Sequence, residues 1–194
     1  MLRPRRSAPW GLSGERFKTY RAGAAPVVDG GADAPVLAVF TERGFQNMTN
    51  PAKKVKMLDD LFHDTLKEDL KAAFEKHAGE TEGQIDRLEQ VFGMIDEKPQ
   101  GKNCPAIVGL IEEGKEIMKE YRGSPALDAG LLSGAQAVEH YEMSRYGTLR
   151  TWAEELGLSQ AAKLLQATLN EEEKTDKTLT QLAEVVVNQE AEAA

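Results

Sequence analysis

Two carboxylates, Glu139 and Glu142, stand three residues apart in the string Val138-Glu139-His140-Tyr141-Glu142, a spacing that projects both from adjacent turns of one helix face. Apolar residues before and after them mark that face as the buried one. A carboxylate in a helical core is costly unless it is paired, hydrogen-bonded or bound to a metal, so something must compensate these two. Glu171 and Glu172 meet the same situation further along, with Glu172 continuing a stripe of Thr168, Thr175 and Leu179. His77 and Glu80, again three apart, fall between Phe74 and Leu88. Carboxylates and imidazole meeting from several helices are the constellation that holds two iron or manganese ions, because hard cations need negative ligands in a dry cavity and helices supply rigid ones. The candidate metal ligands are therefore His77, Glu80, Glu139, Glu142 and Glu172. Each also has a plainer reading: paired structural acids for Glu139 and Glu142, a partly exposed helix acid for Glu172, and a hydrogen-bonded core histidine oriented by its neighbour for His77 and Glu80. His140 falls off the stripe, Glu113 reads as solvated, and His63 and Cys104 carry no functional signal.

The elements that must position these residues are helices. Leu58, Leu61, Phe62, Leu66, Leu70, Phe74, His77, Thr81, Gln84, Leu88 and Val91 recur at threes and fours, the period of one face of a long helix or of two in near succession starting at about Lys54. Gly93 and Pro99-Gln100-Gly101 end it. A shorter helix follows Pro105, with Ile107, Leu110, Ile111, Ile117, Met118 and Tyr121 on its apolar side, and Gly123-Ser124-Pro125 closes it. Ser124 is expected to cap a third helix that has Pro125 at its first position and carries Leu127, Leu131, Ala135, Val138, Glu142, Tyr146, Leu149 and Trp152 to about Leu156. Gly157 stops it, and Ser159 is expected to cap a fourth helix bearing Ala161, Leu164, Leu165, Thr168, Glu172, Thr175, Leu179, Leu182 and Val186, with fraying expected after Asn188. No period-two strand pattern appears between Met48 and Ala194, so the fold class is all-α.

Composition bounds the function. The 194 residues suit one domain with an appendage. A net charge of −8, a pI near 5.1 and 6% aromatic residues argue against nucleic-acid binding, which needs a basic stripe and exposed rings. The apolar run Val36 to Phe40 is too short for a membrane span or a signal-peptide core, which sets aside both a membrane and the twin-arginine reading of Arg5 and Arg6. The single cysteine fits a reducing compartment, and a cytoplasmic location is expected. Residues 1–47 hold four of the eight prolines and six of the 17 glycines, with seven basic residues against four acidic ones. They read as a disordered or weakly ordered extension, either a dispensable tail or translated upstream sequence, with a regulatory or targeting arm as the functional alternative, and residues 48–194 as the helical domain. Parts for nucleophilic or dinucleotide chemistry are missing: there is no nucleophile elbow, no phosphate-cradling glycine loop and no His/Cys pair.

Four strings carry a resemblance. Ala73-Phe74-Glu75-Lys76-His77 with Glu80-Thr81, Gly109-Leu110-Ile111-Glu112-Glu113-Gly114, Ala137 to Glu142 with Tyr146-Gly147-Thr148-Leu149, and Glu171-Glu172 with Thr175-Asp176 resemble, in order and spacing, the YciE/YciF ferritin-like family of bacterial stress responses. The likeness covers roughly Leu58 to Asn188. It implies a ferritin-like four-helix bundle with an additional short helix, a homodimer, and a di-metal centre of the rubrerythrin kind, with Glu172 where rubrerythrin has its last ligating Glu. The sequence also departs from the pattern. Lys67 runs straight into Glu68-Asp69-Leu70, which resembles the start of the family's second helix, so the first helix is truncated and its ligating Glu has no counterpart. Thr175 stands where rubrerythrin would place a His. The resemblance thus implies a stress-related iron or manganese protein short of at least one ligand; the alternative is a non-enzymatic helical oligomerisation or interaction module that no longer binds metal.

Overall fold

A computed structural model describes residues 67–99 and 104–192. The extension 1–47, the stripe positions Leu58 to Leu66 and the Pro99-Gln100-Gly101 turn beyond Pro99 lie outside the described residues. The described chain is all-α, a four-helix bundle of the ferritin-like type, with no strand among the described residues. Its elements are α1 (Glu68–Met94), the shorter α2 (Pro105–Glu120), α3 (Ala126–Glu155) and α4 (Ser159–Leu182), followed by a π-helical turn (Ala183–Val187) and α5 (Asn188–Glu192).

The backbone of Lys67 is extended, so α1 begins at Glu68. The amide of Lys67 donates to Asp128 Oδ2 at 2.8 Å. Asp128 lies in the first turn of α3 and is buried; its carboxylate thus serves the N-termini of two helices, where unsatisfied amides favour negative charge. Every stripe position named for α1 within the described residues is buried: Leu70, Phe74, His77, Thr81, Gln84, Leu88 and Val91. Pro105 occupies the first turn of α2, where its missing N–H is no loss. Gly123 (φ 75) and Gly157 (φ 74) end α2 and α3 in the left-handed conformation that glycine adopts freely.

Apolar side chains gather in two clusters. One, toward the C-terminal ends of α1 and α3, holds Leu88, Val91, Phe92, Tyr146, Leu149 and Leu165. The other, toward their N-terminal ends, holds Leu70, Phe74, Leu127, Leu131, Ala135 and Leu179. Membership fixes the topology: α1 and α3 run in one direction and α4 runs back between them. Helix α2 packs on α3, and its Ile107, Leu110, Ile111, Ile117 and Met118 are only half-buried.

Five sequence expectations need correction. Ser159 is the first residue of α4 and makes no cap; Leu158 holds the N-cap position. Ser124 accepts from the Ala126 amide at 3.2 Å, but Pro125, expected in the first turn, is the N-cap residue of α3. Tyr121 is exposed instead of joining the apolar face. At the far end the π turn inserts one residue into the helical register, so Val187 is buried where the period pointed to Val186, and the chain stays helical through Glu192 instead of fraying after Asn188.

Candidate metal centre

Between the two apolar clusters lies a polar layer: His77, Thr81 and Gln84 of α1, Glu139 of α3, and Thr168, Glu172 and Thr175 of α4 are all buried. All but Glu139 stand at the stripe positions the helical period marks, each where an apolar residue would complete the face; Glu139 stands beside the stripe position of Val138. The centre of the layer is His77, 2% exposed. Its Nε2 lies 3.2 Å from Glu139 Oε1 and 3.3 Å from Glu172 Oε2, yet makes no hydrogen bond of good geometry with any described residue. Glu139 and Glu172 are 1% and 0% exposed. With Glu142 they form a group in which one ligating atom from each of His77, Glu139, Glu142 and Glu172 lies within 4.8 Å of the others.

The structure therefore brings together four of the five residues marked in the sequence. The fifth, Glu80, sits behind the ring. Its Oε1 takes a hydrogen bond from Lys76 at 2.5 Å and its Oε2 is 3.5 Å from His77 Nδ1. Partial burial pushes its carboxyl up, but Lys76 and His77 outweigh that and hold it below the usual carboxylate range. His140, expected off the site, is exposed and pairs with Asp176 at 3.0 Å.

Two supports of the site were not assigned that role from the sequence. Thr175 Oγ1 lies 3.0 Å from His77 Nδ1, and Thr81 Oγ1 donates to the His77 carbonyl at 2.9 Å. Arg87 of α1 makes a two-pronged pair with Glu171 of α4, and also donates to Thr168 Oγ1 at 3.0 Å. The Glu171 bond raises the Arg87 guanidinium further despite burial, so this clamp stays charged. The available signal was the run of polar residues at stripe positions, Thr81, Gln84, Thr168 and Thr175, which marks a layer built for hydrogen bonding. Arg87 gave none, because its partner is 84 residues away.

Tyr146 closes the layer on the side of the first apolar cluster. Burial lifts its phenol well above the ordinary tyrosine value, and the carboxylates of Glu142 and Glu172 lift it further. The donor set suits a hard divalent cation: carboxylate oxygens with one imidazole nitrogen, three of the four residues buried and Glu142 half-buried, around a ring nitrogen that makes no hydrogen bond with any described residue.

Comparison with known proteins agrees with this architecture. A family model described as a domain of unknown function, DUF892, matches residues 51–192. Protein YciF of Escherichia coli (strain K12) is 46% identical over 138 residues, 71% of this chain and 83% of YciF. The crystal structure of the E. coli stress protein YciF superposes with a TM-score of 0.75 at 41% identity, covering 79% of this chain and 97% of that one. YcfI of Rhodopseudomonas palustris, described as a candidate structural protein, superposes with a TM-score of 0.71 at 39% identity, covering 75% of this chain and 92% of that one. On sequence and fold alike, the chain belongs to the DUF892 family, the family of YciF.

Proposed function

We propose that this protein is a ferritin-like stress protein that binds iron or manganese in its bundle core, through His77, Glu139, Glu142 and Glu172. The observation that supports the reading is the convergence of two carboxyl groups on a buried imidazole nitrogen that makes no hydrogen bond with any described residue, with the carboxyl group of Glu142 in the same cluster. A core assembled only for stability would fill these positions with apolar side chains, because buried ionic groups rarely outperform them.

Iron or manganese bound here would supply one-electron chemistry toward oxygen or peroxide. The protein's own residues do the rest. Thr175 and Thr81 fix the ring and the backbone of His77. The Arg87–Glu171 clamp ties α1 to α4 beside Glu172. The two apolar clusters keep water from the carboxylates, which strengthens their hold on a cation.

The stress role rests on the kinship with YciF, named a stress protein. A homodimer would cover the half-exposed apolar face of α2, a role for which that face is suited. The second reading, a helical interaction module without metal, draws on that same face and on the described character of YcfI.

The test is metal content per chain by elemental analysis after anaerobic loading with ferrous iron or manganese, alongside the mass in solution. The wild type should retain metal after desalting, and Glu139→Ala and Glu142→Ala should fall to background. Metal at background in the wild type would leave the interaction module as the reading, with its stability unharmed or raised by either substitution.

A further inference from the structure

We propose that the centre holds one divalent ion per chain instead of two, and that Thr175 is the positioning residue that turns His77 toward it; both rest on the metal-binding reading above. The donor inventory carries the first part. A two-ion carboxylate centre in a helical bundle takes a Glu from each of two helices and a Glu-x-x-His pair from each of the other two, six side chains in all. Three pairs at that spacing involve the candidate ligands: Glu139 with Glu142, Glu172 with Thr175, and His77 with Glu80. Only the first places both members in the cluster. Thr175 directs its hydroxyl to the far side of the imidazole, and Glu80 lies behind the ring with Lys76. Three carboxylates and one nitrogen remain among the described residues, and the first-helix Glu that the resemblance implies has no counterpart in the sequence.

Size agrees with the inventory. Donors about 2.1 Å from a hard cation stand about 4.2 Å apart across it. Two ions about 3.5–4 Å apart spread their outermost donors to roughly 8 Å. One atom from each of the four residues lies within 4.8 Å of the others, close enough for a single cation to take all four.

Thr175 then has a defined task. For Nε2 to offer its lone pair to a cation, the ring proton must sit on Nδ1, and a proton there needs an acceptor. Thr175 Oγ1, 3.0 Å away and in the buried layer, is the nearer of two acceptors there, the other being Glu80 Oε2 at 3.5 Å. The residue that removes the second imidazole thereby orients the first.

The experiment is a manganese(II) titration of the full chain, read by bound metal per chain and by electron paramagnetic resonance. One ion per chain with the hyperfine sextet of an isolated manganese is expected. Thr175→Val, which keeps the shape and loses the acceptor, should weaken binding about 10- to 100-fold, and Thr175→Ser should restore it. Two ions per chain with an exchange-coupled spectrum would overturn the one-ion inference and leave metal binding standing. No retained manganese or ferrous iron would overturn both. Wild-type affinity in Thr175→Val would overturn the role of Thr175.

Discussion

Single side chains in the polar layer carry consequences that titration can read. Tyr146 is 2% exposed, and burial with the nearby carboxylates of Glu142 and Glu172 holds its phenol protonated well past the ordinary range. In the unfolded chain the same phenol loses its proton near about pH 10. Above that pH the unfolded state binds fewer protons than the folded one, so stability falls as pH rises. Tyr146→Phe removes the difference. Urea unfolding at a series of alkaline pH values should show a shallower loss of stability in the variant than in the wild type; parallel curves would mean that Tyr146 titrates normally. At this scale the sequence showed a good deal. His77 and Glu172 could be named because the helical period put them on an apolar stripe, and Glu139 through its spacing from Glu142, although the stripe position went to Glu142, which is half-buried, and the deeper place to Glu139. Glu80 shared the spacing, but its side chain was drawn aside by Lys76, one turn earlier, and spacing alone does not say which of two partners a carboxylate takes.

Helices are set by their ends and by how closely they approach. Gly123, Pro105 and Gly157 marked boundaries in the sequence because backbone chemistry at those points is local. The π turn was not legible, since Leu182, Ala183 and Val186 satisfy an ordinary helical period and only the packing of Val187 reveals the inserted residue. Nor was the contact between α2 and α3. A Cβ added to Gly130 would lie 2.6 Å from Cγ2 of Ile117, too close for any real contact, and that methyl sits on a stiff β-branched side chain. Gly130→Ala should therefore lower stability by about 1–3 kcal/mol through overpacking, even though alanine favours a helix over glycine by roughly 1 kcal/mol. The sign should reverse when the obstructing methyl is gone: in an Ile117→Ala background, Gly130→Ala should stabilise by up to roughly 1 kcal/mol. Chemical denaturation of the four proteins in that cycle measures the coupling. Additive effects would mean that α2 yields without resistance.

Across the whole molecule, the polar layer divides what would otherwise be one apolar core into two clusters, and the division is the fold's principal sacrifice of stability. Glu139 and Glu172 approach the same imidazole from two neighbouring helices, with Glu142 beside them, so three carboxyl groups share one small space. Without a cation that arrangement is self-repelling; with one it is bound from three helices at once. Glu172→Gln keeps the shape, removes one of the three charges and offers an amide donor to the remaining carboxylates, so the metal-free variant should be more stable than the metal-free wild type by about 1 kcal/mol or more. Added metal should invert the order. A cation at a hundredfold excess over its dissociation constant contributes about 2.7 kcal/mol to a protein that binds only when folded, and the wild type should gain this while Glu172→Gln gains little. Thermal unfolding of both proteins, with chelator and with manganese, reads all four values. A wild type that outlasts the variant without metal would show Glu172 to be a structural acid, held by His77 for stability alone. The crossed order would show that the bundle gives up stability in its core in order to hold an ion there.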